Sequence, residues 1–262
     1  MATADTDTGN HRKTNQDSLL IRHADTPEGE VLLCVVCDGM GGLSRGELAS
    51  ATAVRAVSDW FDRELQNKTP FPDLRKSGEQ WGAMLAHVNR TLLMYGEKEK
   101  INLGTTFSGI LFYGGSYLIC HVGDSRIYHI DTDALQLTED QTVVAREVRA
   151  GILTEEQARA DERRNVLLQC VGASPSIRPQ MIYGKARPGV YLLCSDGLCH
   201  ETREEDMQRA LRPDLLDGRQ SMHGGARHLI DLAKSRGESD NITAVVVRVQ
   251  GGSQKRAGGR CG

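Results

Sequence analysis

The chain has 262 residues, 39% of them apolar and 26% charged, with a formal net charge of -3. That is ordinary globular composition, and the charge balance gives no electrostatic case for nucleic acid or an acidic membrane as a partner. No apolar run approaches the roughly 18 residues that a membrane-spanning helix needs.

The N-terminal stretch, MATADTDTGNHRKTNQDS, is polar and lacks the apolar centre of a secretory signal. With an odd count of seven cysteines, this predicts a cytoplasmic protein with free thiols. Cys34 and Cys37 have CxxC spacing but would point to opposite faces of a strand. Zinc held by Cys34, Cys37, Cys194 and Cys199 is the alternative to buried, reduced thiols.

Residues 18–37 read as a β-hairpin around the turn DTPEG. Its second strand, VLLCVVC, is short, apolar and rich in Val and Leu, as a buried strand should be. It ends on Asp38, and DGMGG follows at 38–42, where glycine lets backbone approach a ligand closely. A helix is predicted from 46 to 65, with Ala49, Ala53, Val57, Phe61 and Leu65 on one face. A loop at 69–77 leads to a second helix at 79–95, whose stripe is Trp81, Leu85, Val88, Leu92 and Tyr95.

From Gly104 the pattern becomes that of strands, with turns at Gly114-Gly115 and at GDSR, 123–126. Residues 131–134 turn the chain. Residues 143–170 read as a polar, helical surface insertion, with a capping box at Thr154–Gln157 and a short helix through about Asp161. Residues 190–194 form another buried strand, ending in SDGL at 195–198. A second capping box at 202–205 starts a helix that stops before Pro213. A loop at 214–224, a helix at 225–236 and a strand at 242–249 follow. The Gly-rich, basic residues 250–262 read as a disordered tail. Residues 1–249 are expected to form one domain of α+β class with mostly antiparallel sheets, because strands follow one another through hairpins.

The chemistry is carried by acidic residues at strand ends. Asp38, Asp124 and Asp196 each follow an apolar strand, Asp240 precedes one, and Asp17 lies beside another. Together they suggest one acidic cluster at a common sheet edge. Close carboxylates raise one another's pKa unless a cation sits among them. All-oxygen ligation suits Mg2+ or Mn2+ better than zinc or copper. Two such metals about 3.5–4 Å apart can orient a water and a phosphoryl oxygen together. Arg12 offers a planar two-pronged donor for phosphate. The combination is that of a phosphate-ester hydrolysis site.

RKTNQD at 12–17, DGMGG at 38–42, GTT at 104–106, GDSR at 123–126, SDGL at 195–198 and SDNIT at 239–243 carry a resemblance. In order and spacing the chain resembles the type 2C (PPM) metal-dependent protein serine/threonine phosphatases, in their compact bacterial form, over about residues 5–249. The resemblance implies an α-β-β-α sandwich: two mostly antiparallel sheets flanked by antiparallel helix pairs, metals at one end, and 143–170 as a flap beside them. It implies that Asp38 bridges two metals, the Gly39 carbonyl binds one, and Asp196 and Asp240 complete the other. Asp17 would act through water, Asp124 would hold a weaker third metal, and Arg12 would hold the substrate phosphate. Phosphoproteins are the implied substrates, a serine/threonine kinase is the implied counterpart, and a monomer is the default.

Two departures stand out. Gln16 occupies a position where many members have Glu. Met40 stands where animal members carry a His proposed as general acid, so the leaving group must be protonated from elsewhere. His11, His121 and His200 lie near motifs but are read first as structural or surface residues. GMGGLSRG lacks the lysine of a phosphate-binding loop, DTDALQ lacks the Gly and Glu of a calcium loop, and HETRE is not HExxH. The other function class is a catalytically silent domain of the same fold that binds a phosphorylated partner. It should have lost a metal Asp or the Arg, and this sequence keeps them all.

Overall fold

The computed structural model describes residues 1–41, 45–67 and 70–251. In chain order the elements are β1 (Ala2–Asp7), β2 (Ser18–Thr26), β3 (Gly29–Cys37), β4 (Gly39–Met40), α1 (Gly46–Gln66), α2 (Leu74–Glu99), β5 (Gly104–Thr105), β6 (Phe107–Tyr113), β7 (Ser116–Val122), β8 (Arg126–Ile130) and β9 (Ala134–Gln136). Then come α3 (Val143–Arg149), α4 (Glu155–Ala160), β10 (Gln180–Lys185), β11 (Gly189–Cys194), α5 (Asp196–Cys199), α6 (Glu204–Leu211), α7 (Arg219–Ser235) and β12 (Ile242–Val249).

Two five-stranded sheets stack face to face. One has the order β1-β12-β11-β8-β9 and the other β10-β7-β6-β3-β2. The pairings within both are antiparallel, including the expected β2–β3 and β6–β7 hairpins. Alternation along β3 shows how the layers form. Val31, Leu33, Val35 and Cys37 face a core shared with α1 and α2, while Cys34 and Val36 face the other sheet. The second sheet buries Leu192, Cys194, Ala244 and Val246 against α5, α6 and α7. Each large side chain buried this way contributes roughly 1.5–3 kcal/mol before entropy is counted. The expected α-β-β-α sandwich is what the chain adopts.

Several boundaries differ from the sequence reading. A strand at the N-terminus, β1, pairs with β12 along its whole length, from Ala2 opposite Val247 to Asp7 opposite Ile242. Strand β10 was also not expected, and it closes the edge of the other sheet against β7. The second long helix starts at Leu74, not 79, because Asp73 caps it by accepting from Lys76 N at 2.8 Å. Helix α7 begins at Arg219, not 225, and carries Gly224 and Gly225 within it. A Cβ on Gly225 would press on the Ala210 carbonyl of α6, so the glycine serves close helix packing rather than a break.

The box expected at 202–205 does not form. Thr202 Oγ1 donates back to Leu198 O at 2.7 Å, and the Asp206 carboxylate accepts from Arg203 N at 3.0 Å to cap α6. The box at Thr154 does form, with Thr154 Oγ1 accepting from Gln157 N at 3.2 Å. GDSR is not a hairpin turn within one sheet, since it carries the chain from β7 to β8 in the opposite sheet. Only 143–149 and 155–160 of the flap are helical.

The described cysteines are free and buried, and they lie in different layers. Cys34 sits between the sheets, Cys37 under α1 and α2, and Cys194 and Cys199 under the other helices. That separation rules out one zinc site built from these residues. Gly42 of DGMGG, Cys261 and the tail from 252 onward lie outside the described residues. Among the described residues, no helix is long and apolar enough to cross a membrane.

Candidate active site

The carboxylates are placed by backbone, not by chance of turns. Strand β3 delivers Asp38, whose N–H donates to Thr106 Oγ1 at 2.8 Å. Its carbonyl accepts from Thr106 N and from Thr105 Oγ1, both at 2.9 Å. Gly39 then pairs with Thr105 in the small β4–β5 ladder. A Cβ at Gly39 would run into the carbonyls of Gly46 and Gln16, so only glycine fits between β4 and the start of α1.

Asp17 precedes β2. Its Oδ2 accepts from Ser195 Oγ at 2.8 Å and from Thr243 Oγ1 at 2.6 Å, both from the other sheet's side of the sandwich. Asp196 opens the single turn α5 directly after β11. Asp240 is set by Glu238 Oε1, which accepts from the N–H groups of Ser239 at 2.6 Å and Asp240 at 2.8 Å. Asn241 fastens this end to the N-terminal segment: it accepts from Gln16 N at 2.8 Å and donates to Thr8 O and Thr14 O. Asp124 follows Gly123 on the crossover between sheets and is buried.

The electrostatics show that these groups converge. Burial first, then Asp196 and Asp17, push the Asp38 carboxyl well above its ordinary range, and Asp38 lies within hydrogen-bonding reach of Asp196. Asp17 is raised to about 7 by burial, against the pull of its two hydroxyl donors and with Asp196 and Asp240 adding to the rise. Asp124 is raised by burial and by Asp196. The Oδ1 atoms of Asp17 and Asp196 are buried without a hydrogen-bond partner.

Arg12 brings a cation to this end. Its Nη2 donates to Asp240 Oδ2 at 2.7 Å, and the charges of Asp38 and Asp196 also act on it. Among the described residues, the set does not draw three ligand atoms within 4.8 Å of one another. A divalent cation would offset the negative charge gathered here and could satisfy the orphaned Asp196 oxygen directly and that of Asp17 through a bound water. An all-oxygen donor set of this kind could hold Mg2+ or Mn2+.

The structure thus brings together Arg12, Asp17, Asp38, Gly39, Asp124, Asp196 and Asp240. Gln16 faces Glu47, with Nε2 to Oε2 at 3.3 Å. Met40 lies half-buried on β4, paired with Gly104. His11 is exposed. His121 is structural: Nδ1 meets Ser108 Oγ at 2.9 Å, Nε2 meets Glu139 O at 3.1 Å, and burial lowers its pKa to about 4. His200 differs, since its Nδ1 lies 3.8 Å from Asp196 Oδ2 at the rim. An open cleft of about 1090 Å³ runs from Asp124 and His200 between the flap and α6.

Sequence reasoning missed Ser195, Thr243 and Asn241, which orient Asp17 and the 8–16 loop. All three lie inside the SDGL and SDNIT motifs, so the motifs held the signal and only the partners were hidden. One exposed trio, His23, Asp25 and Glu30, brings ligand atoms together at the opposite end of the β2–β3 hairpin, away from this cluster.

A two-sheet sandwich with converging carboxylates and an arginine at one end defines a phosphate-ester hydrolase. Comparison with known proteins narrows the class. The protein phosphatase 2C family model matches residues 10–223. The chain is 31% identical over 249 residues to the serine/threonine phosphatase stp of Listeria welshimeri, covering 90% of this chain and 95% of that protein. It superposes on Staphylococcus aureus serine/threonine phosphatase Stp1 with a TM-score of 0.83 at 26% identity, covering 95% of each chain. It also superposes on the catalytic domain of the serine threonine protein phosphatase PstP, solved in complex with 2 manganese ions, with a TM-score of 0.77 at 30% identity and coverage of 96% and 98%. The chain belongs to the protein phosphatase 2C family and is a serine/threonine protein phosphatase.

Proposed function

We propose that this chain hydrolyses phosphoserine and phosphothreonine in proteins with two divalent cations, Mn2+ or Mg2+, held by the carboxylates at the end of the sandwich. The observation that carries this reading is that Asp17, Asp38, Asp196 and Asp240 lie close enough to act on one another's charge, with a buried oxygen on each of Asp17 and Asp196 that lacks a partner. The two manganese ions of the PstP structure support the same reading.

In this reading Asp38 would be shared by the two cations, the Gly39 carbonyl would help hold one, and Asp196 and Asp240 would help hold the other. Asp124 would hold a weaker third ion. Bound there, the cations lower the pKa of water and screen the charge of the phosphate. Asp17, fixed by Ser195 and Thr243, offers its free Oδ1 to a water proton. Arg12 orients the substrate phosphate with the N–H groups of its fork not used on Asp240. Met40 carries no transferable proton, so the leaving serine or threonine oxygen is protonated from water or another group in the cleft.

A silent phosphoprotein-binding domain is the weaker reading, because the acidic positions and Arg12 are all retained and converge. The free, buried cysteines fit a reducing compartment such as the cytoplasm. A monomer acting against the products of a serine/threonine kinase completes the proposal. The test is hydrolysis of phosphopeptides across Mn2+ and Mg2+ titrations, with Asp38→Asn as control. Turnover should need added metal, vanish in EDTA and be nearly abolished in the variant. EDTA-resistant turnover, or a near-normal Asp38→Asn enzyme, would sink the two-cation mechanism.

A further inference from the structure

At the base of the flap one residue, through its backbone and side chain, ties the start of the insertion to its returning limb and to the backbone beside Asp124. Gln141 lies just ahead of Thr142, the residue that caps α3. Its N–H donates to Gly123 O at 2.8 Å, and its Oε1 accepts from Gly123 N at 2.9 Å. Its Nε2 reaches His121 O at 3.4 Å. On the returning limb, Leu168 N donates to the Gln141 carbonyl at 2.7 Å, and Gln169 Nε2 donates to Gln141 Oε1 at 2.8 Å.

Both backbone polar groups of Gly123 are therefore satisfied by one residue at the foot of the flap. Gly123 has φ +109, a conformation that side-chain-bearing residues rarely adopt, and it packs directly on Thr106. Such a residue keeps its conformation only if its surroundings hold it there. The next residue is Asp124. On its other side the neighbouring residue Asp140, also at the foot of the flap, takes Arg126 in a two-pronged pair, Nε to Oδ1 at 2.9 Å and Nη2 to Oδ2 at 2.7 Å. The turn that aims Asp124 is thus clamped before and after by consecutive residues of the flap's foot.

We propose that Gln141 is a positioning residue for Asp124, setting that carboxylate in register with the flap. The inference rests on the reading of Asp124 as a cation-holding group of the phosphatase. A shift of the flap, as when a phosphoprotein enters the cleft, then carries the aspartate with it. The chemistry selects glutamine: one side chain must both accept from Gly123 N and donate to His121 O. Glutamate keeps only the acceptor, and methionine, of similar length, keeps neither.

The experiment compares wild type, Gln141→Met, Gln141→Glu, Asp124→Asn and the Gln141→Met/Asp124→Asn double variant, each checked for native circular dichroism. Three quantities are read: Mn2+ binding by calorimetry, kcat and KM on a phosphopeptide, and trypsin cleavage at Arg159, Arg163 and Arg164 of the flap in EDTA. Loss of a residue that orients a metal ligand weakens binding about 10–100-fold. Gln141→Met should therefore weaken the weakest Mn2+ step about tenfold or more, lower kcat more than it raises KM, and speed flap cleavage. Gln141→Glu should lie nearer wild type in all three. The double variant should be no worse than Asp124→Asn alone.

Multiplying losses in the double variant, or fast flap cleavage with unchanged Mn2+ binding, would reduce Gln141 to a flap anchor and overturn the proposal. An Asp124→Asn protein with wild-type Mn2+ binding and turnover would overturn it too, while leaving the phosphatase reading intact. A wild type that hydrolyses no phosphopeptide would count against the function instead, and the Mn2+ and trypsin measurements would still decide the role of Gln141.

Discussion

Thr243 Oγ1 donates to Asp17 Oδ2 at 2.6 Å, joining the last strand of one sheet to the residue that opens the first hairpin of the other. The hydroxyl does not act alone. Asn15 Nδ2 donates to Thr6 Oγ1, and Thr6 Oγ1 meets Thr243 Oγ1, each at 2.8 Å. This hydrogen-bonded row ends on a carboxylate whose other oxygen has no partner. Thr243→Val keeps the shape and removes the donor. It should cost about 1–3 kcal/mol of stability, since Asp17 and Thr6 both lose a partner. Metal affinity should fall about tenfold or more. Thermal unfolding and a Mn2+ titration check both; a variant with wild-type Mn2+ affinity would show that Asp17 is a bystander.

The cluster also makes a prediction about pH. In the metal-free protein Asp17 is raised to about 7, chiefly by burial, and Asp38 and Asp124 are raised in the same direction. In an unfolded chain an Asp titrates near 4. Between those values the native state binds more protons than the unfolded state, so stability falls as pH rises. The contribution is complete below about pH 4 and is lost as pH passes about 7. Asp7, lowered to about 2 with Lys234 and Arg227 beside it, acts at lower pH and does not oppose this. His121, lowered to about 4 by burial, opposes it up to about pH 6.5, but by one proton against the three raised carboxyls. Tm of EDTA-treated protein should therefore drop between about pH 5 and pH 7.5, and Mn2+ should flatten the slope. A metal-free Tm that climbs over this interval would contradict the assignment.

Arg12 is half exposed and paired with Asp240. Losing an ion pair of that exposure changes stability by about 1 kcal/mol or less. Arg12→Ala should instead raise KM for a phosphopeptide while leaving Tm nearly unchanged. Arg12→Lys should restore the charge but not the planar fork, so KM should recover only in part. Steady-state kinetics on both variants decide the matter, and an unchanged KM would move the phosphate clamp to another residue.

Gly39 is sandwiched between the carbonyls of Gly46 and Gln16. Gly39→Ala cannot be absorbed by rotating a side chain, because the opposing atoms are backbone. The variant should lose about 2 kcal/mol or more and lose turnover together with it, as α1 is pushed away from β4. Equilibrium denaturation with an activity assay tests this; a stable, active Gly39→Ala protein would contradict the packing described.

The site was legible because its residues sit in short motifs at the ends of strongly apolar strands. Asp38 after VLLCVVC and Asp196 after VYLLCS could be found from patterning alone. The hydroxyls that orient Asp17 could not, since Ser195 and Thr243 come from elements far apart in sequence, and nothing local marks their partner. The missed strands share a physical cause. Strand β1, ATADTD, turns only the small Ala2 and Ala4 toward the core between the sheets. Its polar residues look like a loop until β12 supplies the ladder. Strand β10 is likewise an edge, with Gly184 lying under the Tyr117 ring. The last helix starts at Arg219 rather than 225 because contact with α6 overrides the poor intrinsic helix propensity of Gly224 and Gly225.

The Thr243–Asp17 bond spans 226 positions of sequence. Synthesis at about 5–20 residues per second separates the appearance of the two residues by some ten seconds or more. Until the final strand leaves the ribosome, the N-terminal carboxylates and Arg12 have no Asp240, no Asn241 anchor and no Thr243 hydroxyl. A nascent chain therefore carries no half-built phosphatase. With the roles proposed above, hydrolytic capacity would arrive with the last strand, and a product cut short before Asp240 should be inert rather than unregulated.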